Sequence, residues 1–560
     1  MKCAFKSAVI SIAALFMVLT LWLSFAGKPV SAAVADEDTI TVDVNDKMQE
    51  WDGWGTALAW WANNYGGRTD RVGGIEYRKQ IANMIFSDQG LNLNIARYNL
   101  GTPYNPEIDP NWNSLSNGAS YGQLCMNPLK MNKDDPFDWT MDSSQIWMLE
   151  EFYRQQGDRA ISEMWLNTSP WWTCVGGTPT GPVDKSDNIL PEQYPEFADY
   201  IVDALEYFTT YKGEENAIVF DYIEPMNEPT SGYGEHGDGG TNCRMSKGAT
   251  QSGIITALYD ELVARGLDDV YTIAGCDEIS IQDTAMGYTM LTDDAKNALG
   301  KVNSHSYYGK QEASQKEIKE LVYGKIPDYE NHKKVWLSER TLYMGPEPEA
   351  FFYGIKLAQE IIDNINIMGI NAWCHWQAPD MMGLDGYGNS SGINWSYDLQ
   401  FFTFGNFTRY ITPGSRILSL GEDASKYSVA ALTPEGKVVV VCANAIDPNN
   451  PDSRLLKQSR DIKINIENAT VESVDMVRTT WTSRDWELKS VSETGVQSIE
   501  DTLPHTSVTT YLFNLDPDNI GAGGAGCGAA AYAGGSLWLI VGALLTASVS
   551  CAMKKRRETK

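Results

Sequence analysis

The sequence predicts an α/β protein: a (β/α)8 or TIM barrel with a C-terminal β-sandwich side domain, plus a C-terminal transmembrane helix. Three observations carry this expectation. Between residues 48 and 415 a short apolar run, a loop and a helical pattern recur eight times. From 416 to 516 the pattern changes to short strands of alternating polarity separated by turn residues. Near the chain end, residues 536–553 are all apolar or small and are followed by Lys554-Lys555-Arg556-Arg557.

The elements follow in order. Lys2 and Lys6 precede an apolar run from Ala8 to about Ala26, and the small residues Ser31, Ala32 and Ala33 follow. That order of charged, apolar and small residues predicts a signal peptide over 1–33. Residues 34–47 contain the alternating stretch Thr39–Val44, expected to join the sandwich as an N-terminal strand. The eight barrel runs over 48–415 are Trp51–Ala57, Leu93–Leu100, Ser162–Trp172, Phe220–Pro229, Val270–Glu278, Val302–Tyr308, Val335–Thr341 and Ile370–Ala378. Helices are expected over Ser143–Gln156, with serine at the cap, and over Pro191–Phe208, where proline suits the first turn. Lys247–Arg265, closed by Gly266, and Pro348–Met368 are two more. A doubly wound open sheet would carry a Gly-rich phosphate turn after its first strand, and none is present. In the sandwich, over 416–516, strands are expected at Lys437–Ala445, Asp461–Ile466, Val474–Thr480 and Ser507–Asn514. A Gly/Ala-rich linker (517–535), the membrane helix (536–553) and a basic cytoplasmic tail (554–560) complete the chain. These ends predict an exported protein anchored at the cell surface with its body outside; release by cleavage near the linker is the alternative.

Composition narrows the function. The net charge is −29, and the basic ends hide a body more acidic still. Such a surface repels phosphate backbones, so no nucleic-acid partner is expected, and membrane contact is assigned to the C-terminal helix alone. The 18 Trp and 27 Tyr provide flat apolar rings of the kind that stack on sugars. Six cysteines lie in the body, widely spaced and without a C-x-x-C pair, which argues against a zinc site.

In a (β/α)8 barrel the chemistry sits at the C-terminal strand ends. Here those ends carry Trp54, Arg97, Trp171, Trp172, Asn227, Glu228, Asp277, His305, Tyr307, Glu339 and Trp376. Glycosidic cleavage needs two carboxyls flanking the bond. Glu228, in Met226-Asn227-Glu228-Pro229 on the fourth strand, and Glu339, in Leu337-Ser338-Glu339-Arg340 on the seventh, form such a pair. Either alone is as readily a surface charge or a salt-bridge partner. Two at the ends of strands that face each other across the mouth favour catalysis.

Several strand-end motifs together resemble glycoside hydrolase family 30, within the clan of retaining β-glycosidases on this barrel. They are Trp51-Asp52-Gly53-Trp54-Gly55, Ala96-Arg97-Tyr98-Asn99-Leu100-Gly101, Ser169-Pro170-Trp171-Trp172, the two Glu motifs, and Leu503-Pro504-His505-Thr506-Ser507-Val508 in the sandwich. The resemblance spans about residues 38–516. It implies double displacement, with Glu339 as nucleophile and Glu228 as acid/base. The charge on Glu339 would help keep Glu228 protonated. It also implies substrate-site roles. Arg97 would hold Glu339 ionised and Asn227 would bond the sugar's 2-hydroxyl. His305 or Tyr307 would orient Glu339 or the sugar, and Trp54, Trp171, Trp172 and Trp376 would line or stack on the sugar. The loop Gly53-Trp54-Gly55-Thr56-Ala57-Leu58-Ala59-Trp60-Trp61-Ala62-Asn63 is most similar to the endo-β-1,6-galactanase branch. The expected substrate is therefore the β-1,6-galactan side chains of arabinogalactan, with β-1,6-glucan or glucuronoxylan as alternatives. No metal or cofactor is called for, because two carboxyls suffice. A non-catalytic carbohydrate-binding surface protein is the rival of another class; it would need the aromatics but not both glutamates.

Overall fold

The structure, a computed structural model, describes residues 38–520 apart from 109–125, 180–185, 231–247, 309–310, 331, 343–348, 385–398, 445–458 and 494. The expected signal peptide, membrane helix, basic tail and most of the linker lie outside the described residues. Among the described residues no helix is long and apolar enough to cross a membrane.

Eight parallel strands close a barrel. In chain order they are Gly53–Ala57, Ile95–Asn99, Ile161–Trp165, Tyr222–Glu224, Thr272–Glu278, Leu299–His305, Lys334–Arg340 and Ala372–His375, each paired with its sequence neighbours and the eighth with the first. Their outward residues, such as Val335, Leu337 and Trp373, join one apolar core with the surrounding helices. Inward residues are fewer and include Ile95, Trp336, Ala372 and Cys374. The interior is tight: a Cβ at Gly55 would lie 2.6 Å from the Cys374 sulfur.

The helices include Ser143–Gln156, Tyr194–Phe208, Gly248–Arg265 and Glu349–Asp363. The first is preceded by Asp142 at its cap position and by a 3-10 turn, so Ser143 is already inside the helix. A single π-turn, Asn364–Met368, extends the last, and Gly369 in the left-handed region stops it.

The side domain packs two sheets. The larger runs in the spatial order Lys489–Ser492, Val471–Thr479, Ser507–Leu515, Lys437–Asn444, Ser428–Leu432, Arg416–Leu418, Lys47–Glu50. The smaller holds Thr39–Asp43, Arg460–Glu467 and Ser498–Leu503. The N-terminal stretch thus contributes two strands, one to each sheet. The run Val438–Cys442 is apolar without alternation because both its faces are covered. Val439 and Val441 pack on the barrel's helices, while Val438, Val440 and Cys442 pack on the smaller sheet.

Candidate active site

The mouth of the barrel is shaped by two β-bulges. Between strands six and seven the register passes from Ser304↔Leu337 to His305↔Glu339, so strand seven holds one extra residue, Ser338. Between strands five and six it passes from Val302↔Gly275 to Ser304↔Glu278, so strand five also gains one, near Cys276, whose φ is 72°. A bulge reverses which face the following residue occupies. Val335 and Leu337 face the helices and Trp336 faces inward. Without the bulge Glu339 would face the helices too. With it, Glu339 turns into the mouth.

Glu228 reaches the mouth through a loop rather than a strand, since strand four ends at Glu224. Its φ is 43°, in a region that a non-glycine residue occupies only when its surroundings hold it there. Its N–H donates to the Asp277 carbonyl at 2.8 Å. The preceding N–H, of Asn227, donates to the Leu166 carbonyl at 3.0 Å.

One oxygen of Glu228, one nitrogen of His305 and one oxygen of Glu339 lie within 4.8 Å of one another. His305 Nδ1 is 3.0 Å from Glu228 Oε1 and 3.6 Å from Glu339 Oε1, and its Nε2 is 3.2 Å from Asp277 Oδ1. Burial opposes a charged imidazole, but Glu339 and Asp277 outweigh it and raise the His305 pKa well above its ordinary value. A protonated ring with both nitrogens facing carboxylates has no lone pair to give, so this trio suits an ion-paired cluster better than a metal site.

Glu339 accepts the Tyr307 hydroxyl at 2.7 Å on Oε1, while Oε2 lies 3.6 Å from Arg97 Nη1. Burial pushes its carboxyl up to about 7, against the opposing pull of His305 and Arg97. Beneath the pair runs a buried chain of alternating charge. Lys301 bonds Glu163, and Glu163 bonds Arg97 at 2.5 Å. Arg97 bonds Asp277 at 2.7 Å, and Asp277 faces His305. Three cations (Lys301, Arg97, His305) face two buried anions (Glu163, Asp277). The surplus positive charge suits one ionised carboxyl in the Glu228–Glu339 pair. Burial and neighbouring acids push Glu224 well above the usual carboxyl range, which keeps it out of this balance.

The pocket over the pair is lined by Trp60, Asn167, Asn227, Glu228, Ile279, Tyr307, Glu339 and Trp376. Of the residues expected from the sequence, Asn227, Glu228, Tyr307, Glu339 and Trp376 line it. Arg97 and His305 lie directly beneath, fully buried, and contact the glutamates instead of the opening. Trp54 is a correction. It is fully buried on the outer barrel wall, its ring against Trp51, Phe404 and Phe407 and its indole N–H on the Ile411 carbonyl. Trp171 and Trp172 are not among the pocket's lining residues. Trp171 bonds the Met131 carbonyl, and Trp172 packs edge-on against Tyr200. The strand-end residues expected from the sequence do not include Trp60, Asn167 and Ile279, which stand three, two and one residues past the ends of their strands. Trp60, at φ 69°, sets its ring edge-on to Trp376, with centroids 5.0 Å apart. Among the body cysteines, Cys174, Cys276, Cys374 and Cys442 are buried free thiols; Cys125 and Cys243 lie outside the described residues.

A closed parallel barrel with two carboxyls meeting at its C-terminal mouth defines the class, a glycoside hydrolase. The chain belongs to O-glycosyl hydrolase family 30, whose model matches residues 37–323. It is 26% identical over 418 residues to an endo-beta-1,6-galactanase of Hypocrea rufa, covering 73% of this chain and 81% of that protein. It is 24% identical over 438 residues to an exo-beta-1,6-galactobiohydrolase of Bifidobacterium longum, covering 62% of this chain but 28% of that longer protein. Among solved structures, a conserved exported protein from Bacteroides fragilis superposes with a TM-score of 0.66 at 16% identity, over 85% of this chain and 100% of that one.

Proposed function

We propose that this glycoside hydrolase is a retaining endo-β-1,6-galactanase acting on the side chains of arabinogalactan. The observation that carries the mechanism is the meeting of Glu228 and Glu339, whose oxygens come within 4.8 Å. That closeness supports direct attack by one carboxylate, since inverting enzymes keep their carboxyls about 6.5–9.5 Å apart to admit a water. In the first step Glu228 gives its proton to the glycosidic oxygen as Glu339 Oε2 attacks the anomeric carbon. The C–O bond to the leaving sugar breaks and a glycosyl ester forms. In the second, Glu228 takes a proton from water, which displaces Glu339 and restores the carboxylate. Tyr307 and Arg97 hold Glu339 as an anion, Asn227 meets the 2-hydroxyl, and Trp60 and Trp376 wall the sugar.

The choice of galactan rests on the two curated relatives, both named for β-1,6-galactose linkages, and on the Trp60-containing loop. The N-terminal and C-terminal apolar segments support an exported, surface-anchored enzyme. Product analysis of residues 34–520 tests the substrate on de-arabinosylated arabinogalactan, β-1,6-glucan and glucuronoxylan. Release of β-1,6-galacto-oligosaccharides of several lengths is expected. Cleavage of another polymer alone would overturn the sugar and leave the chemistry in place, whereas galactobiose as the sole product would overturn the endo mode.

A further inference from the structure

We infer that Asp277, at the end of the fifth barrel strand, is a positioning residue that holds both catalytic glutamates in register without touching the sugar. The inference rests on the roles given to Glu228 and Glu339 above. Asp277 is fully buried and does not line the pocket. Four contacts radiate from it. Its backbone carbonyl accepts the N–H of Glu228 at 2.8 Å, fixing the left-handed turn that presents the acid/base. Its Oδ1 accepts the Ser338 hydroxyl, tying it to the bulge that turns Glu339 inward. The same oxygen lies 3.2 Å from His305 Nε2, whose other nitrogen is 3.0 Å from Glu228. Its Oδ2 accepts from Arg97 at 2.7 Å, and that guanidinium bonds the Ser338 carbonyl and faces Glu339 Oε2.

The two bulges are therefore joined side chain to side chain directly beneath the pair. One carries Asp277 and the other Ser338. Strands five and seven are not neighbours in the barrel, because strand six lies between them. Strand six pairs with both, at Ser304↔Glu278 and His305↔Glu339, and the polar link adds a direct tie between the two ends. His305 and Arg97 are the two arms through which it reaches the glutamates.

Asp277→Asn keeps the shape and removes the charge that both arms require. The assay uses two aryl glycosides of the sugar that the wild type cleaves best among galactoside, glucoside and xyloside, one with a good and one with a poor leaving group. An error in the assigned sugar then shows as wild-type preference and leaves the comparison intact. An error in the assigned roles shows as turnover by Glu339→Gln. For Asp277→Asn the expected result is a fall in kcat of about a hundredfold on both substrates. KM should hardly change, near-UV circular dichroism should be native, and azide should give no rescue. Glu228→Ala, by contrast, should lose rate mainly on the poor leaving group and be rescued by azide. A folded Asp277→Asn enzyme with wild-type kcat, or one slowed only on the poor leaving group and rescued by azide, would overturn the inference. If Asp277→Asn does not fold, Ser338→Ala decides. Loss of its hydroxyl, which donates to Asp277 and lies 3.1 Å from the Ser304 carbonyl, is expected to lower kcat about fivefold to tenfold at unchanged KM, and unchanged kcat would overturn the inference.

Discussion

The Tyr307 hydroxyl donates to Glu339 Oε1 at 2.7 Å, and Oε2 of the same carboxyl has no hydrogen-bond partner among the described residues. One oxygen is steadied and the other is free for the attack proposed above. The arrangement also sets a pH dependence. Burial raises the Glu339 carboxyl to about 7, and the bond from Tyr307 works in the opposite sense by favouring the anion. In the proposed mechanism the anion is the attacking form, so kcat/KM should fall as pH drops through about 7. Tyr307→Phe removes a stabiliser of the anion, so the acid limb should move to higher pH and rate below neutrality should suffer most. A pH–rate profile of the variant checks this; a limb that stays put would detach Tyr307 from the ionisation of Glu339.

The two glutamates should separate by their rescue behaviour. Glu339→Gln is expected to abolish turnover while oligosaccharide binding persists, measured by calorimetry. Glu228→Ala should slow hydrolysis of a poor leaving group about 10²–10⁴-fold. Azide should restore turnover on an activated substrate and yield a β-glycosyl azide, identified by NMR. An α-azide would contradict retention.

The tryptophans should divide by place rather than by type. Trp376→Ala and Trp60→Ala remove walls of the pocket and should raise KM about tenfold, the equivalent of about 1.4 kcal/mol of lost binding, with little change in melting temperature for the partly exposed Trp376. Trp54→Ala opens a cavity against Trp51, Phe404 and Phe407 and should cost about 3–5 kcal/mol of stability at unchanged KM. Urea unfolding and steady-state kinetics on the same preparations decide between the two patterns.

Lys301 lies fully buried below the site, bonded to Glu163, with its ammonium 3.3 Å from the Trp336 ring centroid. Removing it leaves Glu163 with Arg97 as its one remaining cation among the described residues. Lys301→Met should therefore destabilise by about 3–5 kcal/mol in urea unfolding. An unshifted midpoint would mean that Glu163 takes up a proton and needs no second partner.

Much of the architecture was legible in advance. The eight apolar runs each overlap one barrel strand, because the rhythm of strand, loop and helix is written in hydrophobic periodicity and in Gly and Pro at element ends. The candidate carboxyls were legible for the same reason: one closes and the other follows an apolar strand whose C-terminal end must lie at the mouth. Side-chain direction was not. Trp54, the second residue of its strand, and Trp376, the first past the end of its own, both stand beside other aromatics, yet one faces the helices and the other the pocket. Trp171 and Trp172 follow a strand end as well, but the 3-10 turn Trp171–Thr173 carries them off the pocket's lining.

Strand seven shows where the division falls. Its sequence, with Val335 and Leu337 on one parity, determines that a strand forms and which face meets the helices. The same parity places Glu339 on that outer face, away from any substrate. Only the extra residue at Ser338 reverses it, and a bulge arises when neighbouring strands fall out of register, a property of the paired strands and not of either alone. Composition, element order and the identity of the two carboxyls belong to the sequence itself, because they depend on local pattern. The inward turn of Glu339, the left-handed backbone of Glu228 and the buried charges that join them were decided by tertiary structure. Each depends on contacts between strands far apart in the chain.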